Sequence, residues 1–318
     1  MDRLNITNGS NTVDLMNAAG IAGDKLSWDD LLHEGPVPGG KSLGELSAIR
    51  AAFISQAGYA EAHHVNGQFL ERDRQLVRYS DYQQVVLWFE HDLYDQLQLI
   101  QLLDWFHRQA NIATDLQLIC VNKHLGHHKP AEFPRLESFS RAVSPNQSML
   151  ASESWRAFTA DSPLALNQLI GAAFSELPLL KPALQRLMME YPASDSGLPL
   201  TESLILQCLQ QGSLSPATLF AAYTKREVDE FLGDSPFFKR LNQMAYCEKP
   251  LVDYAIDEPL AYPPNRQQSI TITPYGHAVL AGQHDWFDDN TLTRWIGGCL
   301  VSPDNRWRYN PVSRMVDI

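Results

Sequence analysis

Cysteine is scarce in this chain: Cys120, Cys208, Cys247 and Cys299 lie far apart with no C-x-x-C pair, so neither a zinc ribbon nor a disulfide framework is indicated. Positive charge is scarce too. The 318 residues carry 25 Lys and Arg against 37 Asp and Glu, a formal net charge of −12. That balance disfavours loose, charge-driven association with nucleic acid or an anionic membrane. No apolar run approaches the length that spans a bilayer, and the opening MDRLNITNGSN has no apolar leader core, so a soluble cytoplasmic protein without membrane attachment is expected. There is no G-x-G-x-x-G turn and no phosphate-cradling loop is read, which disfavours NAD and classical ATPase chemistry. No Ser-His-Asp or Cys-His nucleophile set is read either. Cys120 sits inside an apolar strand pattern, where burial is the expectation.

What is present is alternation. LNIT, KLSW, VVLWF and LQLICV read as strands, and TVDLMNAAG, SLGELSAIRAAFISQAG and DQLQLIQLLDWFHRQ read as helices between or after them. Strands alternating with helices predict a parallel sheet, because a parallel crossover needs a helix-sized connection. The fold class expected is α/β, with a Rossmann-like domain over residues 1–143, a helical connector over 144–195 punctuated by Pro178, Pro182 and Pro192, and a winged-helix-like α+β domain over 196–318. That last region reads as three short helices, with Thr201 and Ser215 as N-caps and Gly212 closing the first, followed by a hairpin and the strand-turn-helix ITPYGHAVLAG. Trp105, Phe106, Trp286 and Trp295 read as core packing, and RWRYNP as an edge strand bearing surface arginines.

In open parallel sheets ligands bind beyond the carboxyl ends of the strands, and here each strand ends in polar chemistry. Asn8, Gly9 and Ser10 follow the first; Trp28, Asp29 and Asp30 the second; Glu90, His91 and Asp92 the third; Asn122, Lys123 and His124 the fourth. The helix behind NGSNT offers N–H groups to an anion above Gly9. SWDDLLHEGPVPGG sets His33 and Glu34 against a Gly-Pro loop that fixes their orientation. Asp92 and Asp95 also suit a helix N-terminus as caps. The catalytic candidates are His33, Glu34, Glu90, His91 and Asp92, and the ligand-binding candidates Asn8, Gly9, Ser10, Trp28, Asp29 and Asp95. A divalent metal held across the two loops is the cofactor this set admits. The spacing of His124, His127 and His128 matches no standard zinc template.

The stretches TNGS, WDDLLHEGPVP and WFEHDLYDQLQLIQLL resemble the bacterial family called domain of unknown function eighteen thirty-five, over roughly the first 125 residues; TESLILQ to RWIGGC resembles the carboxyl-terminal part that often accompanies it. Ser10 stands where that pattern often has aspartate. The resemblance implies no activity. The function expected from the residues is binding of a small anionic ligand, a nucleotide or phosphorylated metabolite, with hydrolysis or group transfer, His33 or His91 serving as acid–base. The alternatives are a ligand-sensing transcription regulator and a non-catalytic adaptor, using the carboxyl-terminal part for protein contact or self-association. From Pro199 onward there are 10 Lys and Arg against 14 Asp and Glu. The expected recognition helix, SPFFKRLNQMAY, carries just Lys239 and Arg240, so DNA binding is expected to be weak.

Overall fold

A computed structural model describes residues 2–109, 113–172 and 174–318. The chain forms two compact units, one of residues 1–184 with 295–299, the other of residues 185–294 with 300–318.

The first unit is mixed α/β. Strand β1 (Arg3–Thr7) leads through α1 (Ser10–Ala18) to β2 (Asp24–Ser27); α2 (Leu43–Gln56) and α3 (Ala62–Val77) lead to β3 (Gln84–Glu90); α4 (Leu93–His107) leads to β4 (Asp115–Val121). After α5 (Phe133–Glu137), a two-residue edge strand β5 (Arg141–Ala142) completes a five-stranded sheet of order β2-β1-β3-β4-β5. The first four strands pair in parallel, and β5 runs antiparallel to β4. The chain therefore leaves β1 toward one edge and returns to place β3 on its other side. This reversal of strand order opens a crevice at the carboxyl ends of β1 and β3.

Burial follows the strand period of two. Val86 and Trp88 of β3 enter a core with Met16, Ile119, Leu125 and Phe133, and Trp88 stacks on Phe133 with ring centroids 6.1 Å apart. The intervening Val85, Leu87 and Phe89 are equally buried on the opposite face. Helix α4 is buried nearly all round, as expected of a helix sandwiched in a core, and packs against α6 (Pro145–Phe158). Its glutamines are not surface residues. Gln96 donates to the Glu90 carbonyl, Gln98 Nε2 donates to Asp30 O at 3.1 Å, and Gln101 accepts the Trp28 indole N–H at 2.7 Å. The ends of β2 and β3 are thereby tied to one helix.

Helices α7 (Leu164–Ile170) and α8 (Leu180–Met188) follow, so the expected 144–195 connector is divided: residues up to 184 belong to the first unit and the rest to the second. The second unit holds α9 (Leu200–Leu209), α10 (Pro216–Thr224) and α11 (Asp234–Ala245), then an antiparallel pair β6 (Val252–Tyr254) and β7 (Ile270–Ile272), then α12 (Pro274–Leu280) and α13 (Trp286–Asp289). Strands β8 (Arg294–Ile296) and β9 (Cys299–Val301) form one further two-stranded sheet, and β10 (Arg308–Asn310) and β11 (Met315–Asp317) another.

Ser215 caps α10 as its sequence position suggests, accepting from the Thr218 N–H. Thr201 does not cap α9. The N-cap is Pro199, and the Thr201 hydroxyl is buried in an ion network, donating to Glu190 Oε1 at 2.6 Å and accepting from Arg186 at 3.0 Å. The RWRYNP strand differs from expectation as well. Arg308 is buried and pairs with Asp285 and Asp288, while Arg306 keeps an exposed side chain.

Candidate functional site

Strand β3 ends at Glu90, and two residues later Asp92 caps α4, its Oδ1 accepting the Asp95 N–H at 2.9 Å. Asp95 reaches back: Oδ1 accepts the Glu90 N–H at 2.9 Å and Oδ2 accepts Asn8 Nδ2 at 2.9 Å. Asn8 comes from the end of β1, and its Nδ2 also lies 3.4 Å from Glu90 Oε1. Its own carbonyl oxygen is held by the Thr12 hydroxyl at 2.8 Å. The two strand ends flanking the crevice are thus joined by side chains, and of the two expected caps Asp92 is the one that caps α4.

The fourth strand supplies the remaining piece. Glu90 Oε2 accepts the Leu125 N–H, and Glu90 Oε1 and Asp92 Oδ2 each lie 3.2 Å from His124 Nδ1. Among the described residues, Glu90, Asp92 and His124 are the trio of possible metal ligands whose donor atoms all lie within 4.8 Å of one another. Each carboxylate has one oxygen fixed by a backbone N–H and the other turned to the shared point. A cation about 2.1 Å from donors at right angles sets them about 3.0 Å apart, and a tetrahedral one sets them about 3.4 Å apart. The two separations from His124 Nδ1, 3.2 Å each, lie between these values and are also those of hydrogen bonds.

The crowding of these groups shows in their electrostatics. Burial, followed by the charges of Asp92 and Glu90, holds the Asp95 carboxyl well above the usual carboxylate range. Hydrogen bonds to Asp92 and then Glu90 push the His124 imidazole up to about 10, against the opposing effect of burial. A proton and a metal ion are alternative occupants of Nδ1. His91 and His127 flank His124, with ring centroids at 4.9 and 5.0 Å. Burial raises the Cys120 thiol to about 12, which removes it as a nucleophile at neutral pH.

The other candidates divide. Gly9 is the N-cap of α1, but the Ser10 N–H already donates to Asp29 Oδ1 at 3.2 Å, and a Cβ at Gly9 would meet that oxygen at 3.0 Å. Asp29 adopts a left-handed φ of 48°, and its carboxylate takes the place the sequence offered to an anion. Trp28 is buried beneath the Arg72 guanidinium, 4.0 Å from its ring. His33 packs edge-on against Tyr94 with ring centroids 6.0 Å apart, and the Tyr94 hydroxyl donates to Asn8 O at 3.4 Å, which brings His33 toward the crevice. Glu34 turns elsewhere and accepts the Tyr59 hydroxyl at 2.5 Å.

The HEGPVP loop owes its shape to Arg50. This fully buried guanidinium pairs with Asp30 at 2.9 Å and donates to the carbonyls of Leu31, Glu34 and Pro36. Gly35 has φ +72°, and a side chain there would run into Phe53 at 2.5 Å.

Two motif strings run through this loop. Residues 35–42, GPVPGGKS, spell G-x-x-x-x-G-K-S, and residues 40–44, GKSLG, spell G-x-S-x-G. The structure rejects both roles. Pro36 and Pro38 have no N–H, and the N–H groups of Val37, Gly39 and Ser42 are spent on Gly297 O, Thr159 O and Glu45 Oε2 at 2.8, 2.9 and 2.9 Å, so these five positions offer no donor to a phosphate. Ser42 is the N-cap of α2 at φ −66°, in a capping box with Glu45, and not a strained nucleophile at a strand-to-helix elbow.

The signal for His124 was its place one strand over from Glu90. Grouping it with His127 and His128 by sequence proximity hid that. Comparison with protein-family models finds no match for the chain, and no curated protein matches it.

If Asp92 acts on stability only as a cap, Asp92→Ala lowers it by about 1 kcal/mol in chemical denaturation. A loss well above 2 kcal/mol would mean that its charge against His124 also holds the fold together.

Proposed function

We propose that the first unit is a Rossmann-like domain that binds one divalent cation through Glu90, Asp92 and His124, and through it a small phosphorylated or nucleotide ligand. The observation that carries this is the division of labour within each carboxylate, one oxygen fixed by a backbone N–H and the other facing His124. Such outer bonds orient metal ligands, and three protein donors leave positions open for water or substrate, as catalytic sites require. Two carboxylates and one imidazole suit Mn²⁺, Mg²⁺ or Zn²⁺. An anionic ligand on its own would meet Asp29, Glu90 and Asp92; a cation makes its approach favourable.

The chemistry best matched is hydrolysis or group transfer, with His91 as the acid–base group and the cation polarising the transferred group. Kinship with the domain of unknown function eighteen thirty-five family is part of this proposal and rests on the three quoted motifs. Calorimetric titration of chelator-treated protein with Mn²⁺ should saturate at one equivalent, with Mg²⁺ competing. Absence of saturable heat for Mn²⁺, Mg²⁺ and Zn²⁺ would overturn it.

A second reading has its own support. In the second unit, α9, α10 and α11 precede the β6–β7 pair, and Leu214 bridges Ile270, the order of a winged helix. The charge argues against DNA. Arg240, one of two basic residues on the would-be recognition helix, is buried against Glu202 and Glu190. In a mobility-shift assay at physiological salt, no random duplex should bind more tightly than about 1 μM. Tighter binding lost in Lys239→Glu would favour the regulator.

A further inference from the structure

Away from the crevice, on the far stretch of α4, the first unit has a pocket of about 210 Å³, partly open to solvent. Its lining is unusual: Trp28, Trp105 and Trp155 stand around it together with Lys41, Arg108 and Gln101. Arg108 is paired with Asp104, which also lines the cavity, so Lys41 leaves the lining with one net positive charge.

Gln101 is 5% exposed. Its Oε1 accepts the Trp28 indole N–H at 2.7 Å, which fixes which end of the amide is which and makes the NH₂ the end able to donate to a ligand. It belongs to a side chain lining an open space.

The geometry points to a binding site for a planar aromatic anion of one or two fused rings, its carboxylate or equivalent acidic group received by Gln101 Nε2 and Lys41 and its ring held among the tryptophans. The size agrees, since an apolar cavity of about 150 Å³ accepts benzene. A ring gains from edge and face contacts with indole, and an anion gains from a charged donor such as Lys41.

Calorimetry on the full chain, with benzoate and indole-3-carboxylate as probes, tests this, and quenching of tryptophan fluorescence gives a second signal. Saturable one-site binding is expected for both, with cyclohexanecarboxylate and the neutral benzyl alcohol weaker. Lys41 is exposed, so Lys41→Glu should fold normally and weaken benzoate at least about threefold while sparing benzyl alcohol. Gln101→Glu keeps an acceptor for Trp28 and places a carboxylate against the ligand; it should weaken benzoate at least about tenfold. Glu90→Gln should leave benzoate binding unchanged, which separates this site from the proposed metal centre. No saturable binding of either probe, equal binding of cyclohexanecarboxylate, or benzoate affinity unmoved in Lys41→Glu would overturn the assignment.

Discussion

Glu90→Gln should weaken Mn²⁺ binding by at least about a hundredfold while leaving the fold intact. Loss of a residue that merely orients a metal ligand typically costs 10–100-fold, and loss of a ligand costs more. The amide retains one oxygen, which can still accept the Leu125 N–H, so the turn after β4 keeps its anchor. What disappears is the charge on the oxygen that faces His124. Calorimetry of the variant beside wild type measures the effect, with the melting temperature as the control for folding. An unchanged Mn²⁺ affinity would remove Glu90 from the site. A collapse of the melting temperature would assign it to holding strand ends together through Asn8, Leu125 and His124.

The second large effect lies in the second unit. Arg186, Glu190, Glu202, Glu227 and Arg240 are all buried, and Arg294 adjoins them. Arg186 donates to both oxygens of Glu227, at 2.9 and 2.8 Å, and pairs with Glu190 at 2.8 Å. Arg186→Ala leaves the buried Glu227 carboxylate without its cation and takes from Glu190 its nearest one, and should cost about 3–5 kcal/mol, a fall in melting temperature on the order of 10 °C by circular dichroism.

The same network sets an acid limit. Burial alone would raise the Glu190 carboxyl, but Arg186, Arg240 and Arg294 outweigh it and hold the group well below the usual carboxylate range. A carboxylate depressed in the folded state stabilises above its unfolded pKa, about 4.3 for Glu, and that contribution is lost as pH falls. The melting temperature should therefore drop on acidification below about pH 4, and Glu190→Gln should flatten that drop. A wild-type profile indistinguishable from the variant's would contradict the account.

Strand positions were legible because VVLWF and LQLICV are apolar and β-rich, and that was enough to bring Asn8, Glu90 and Asp92 to one end of the sheet. The pairing of distant loops was not legible. His124 meets Glu90 through strand register, 34 residues away, a relation no local spacing records. Arg50 and Arg72 were equally hidden. Arg50 lies in α2 and Arg72 in α3, and each is buried by partners elsewhere: Asp30 for Arg50, and the carbonyl of Trp28 with the Ser47 hydroxyl for Arg72. The GPVPGGKS string matches a phosphate-loop pattern but serves a turn and a helix cap here, where two residues lack an N–H and those of Val37, Gly39 and Ser42 are already bonded.

The measurement that bears most directly on the metal centre is anomalous diffraction from crystals grown with Mn²⁺. The account predicts one peak about 2.1–2.3 Å from Glu90 Oε1, Asp92 Oδ2 and His124 Nδ1. A map without that peak, with His124 Nδ1 still hydrogen-bonded to both carboxylates, would contradict it and leave the imidazolium as the site's own cation.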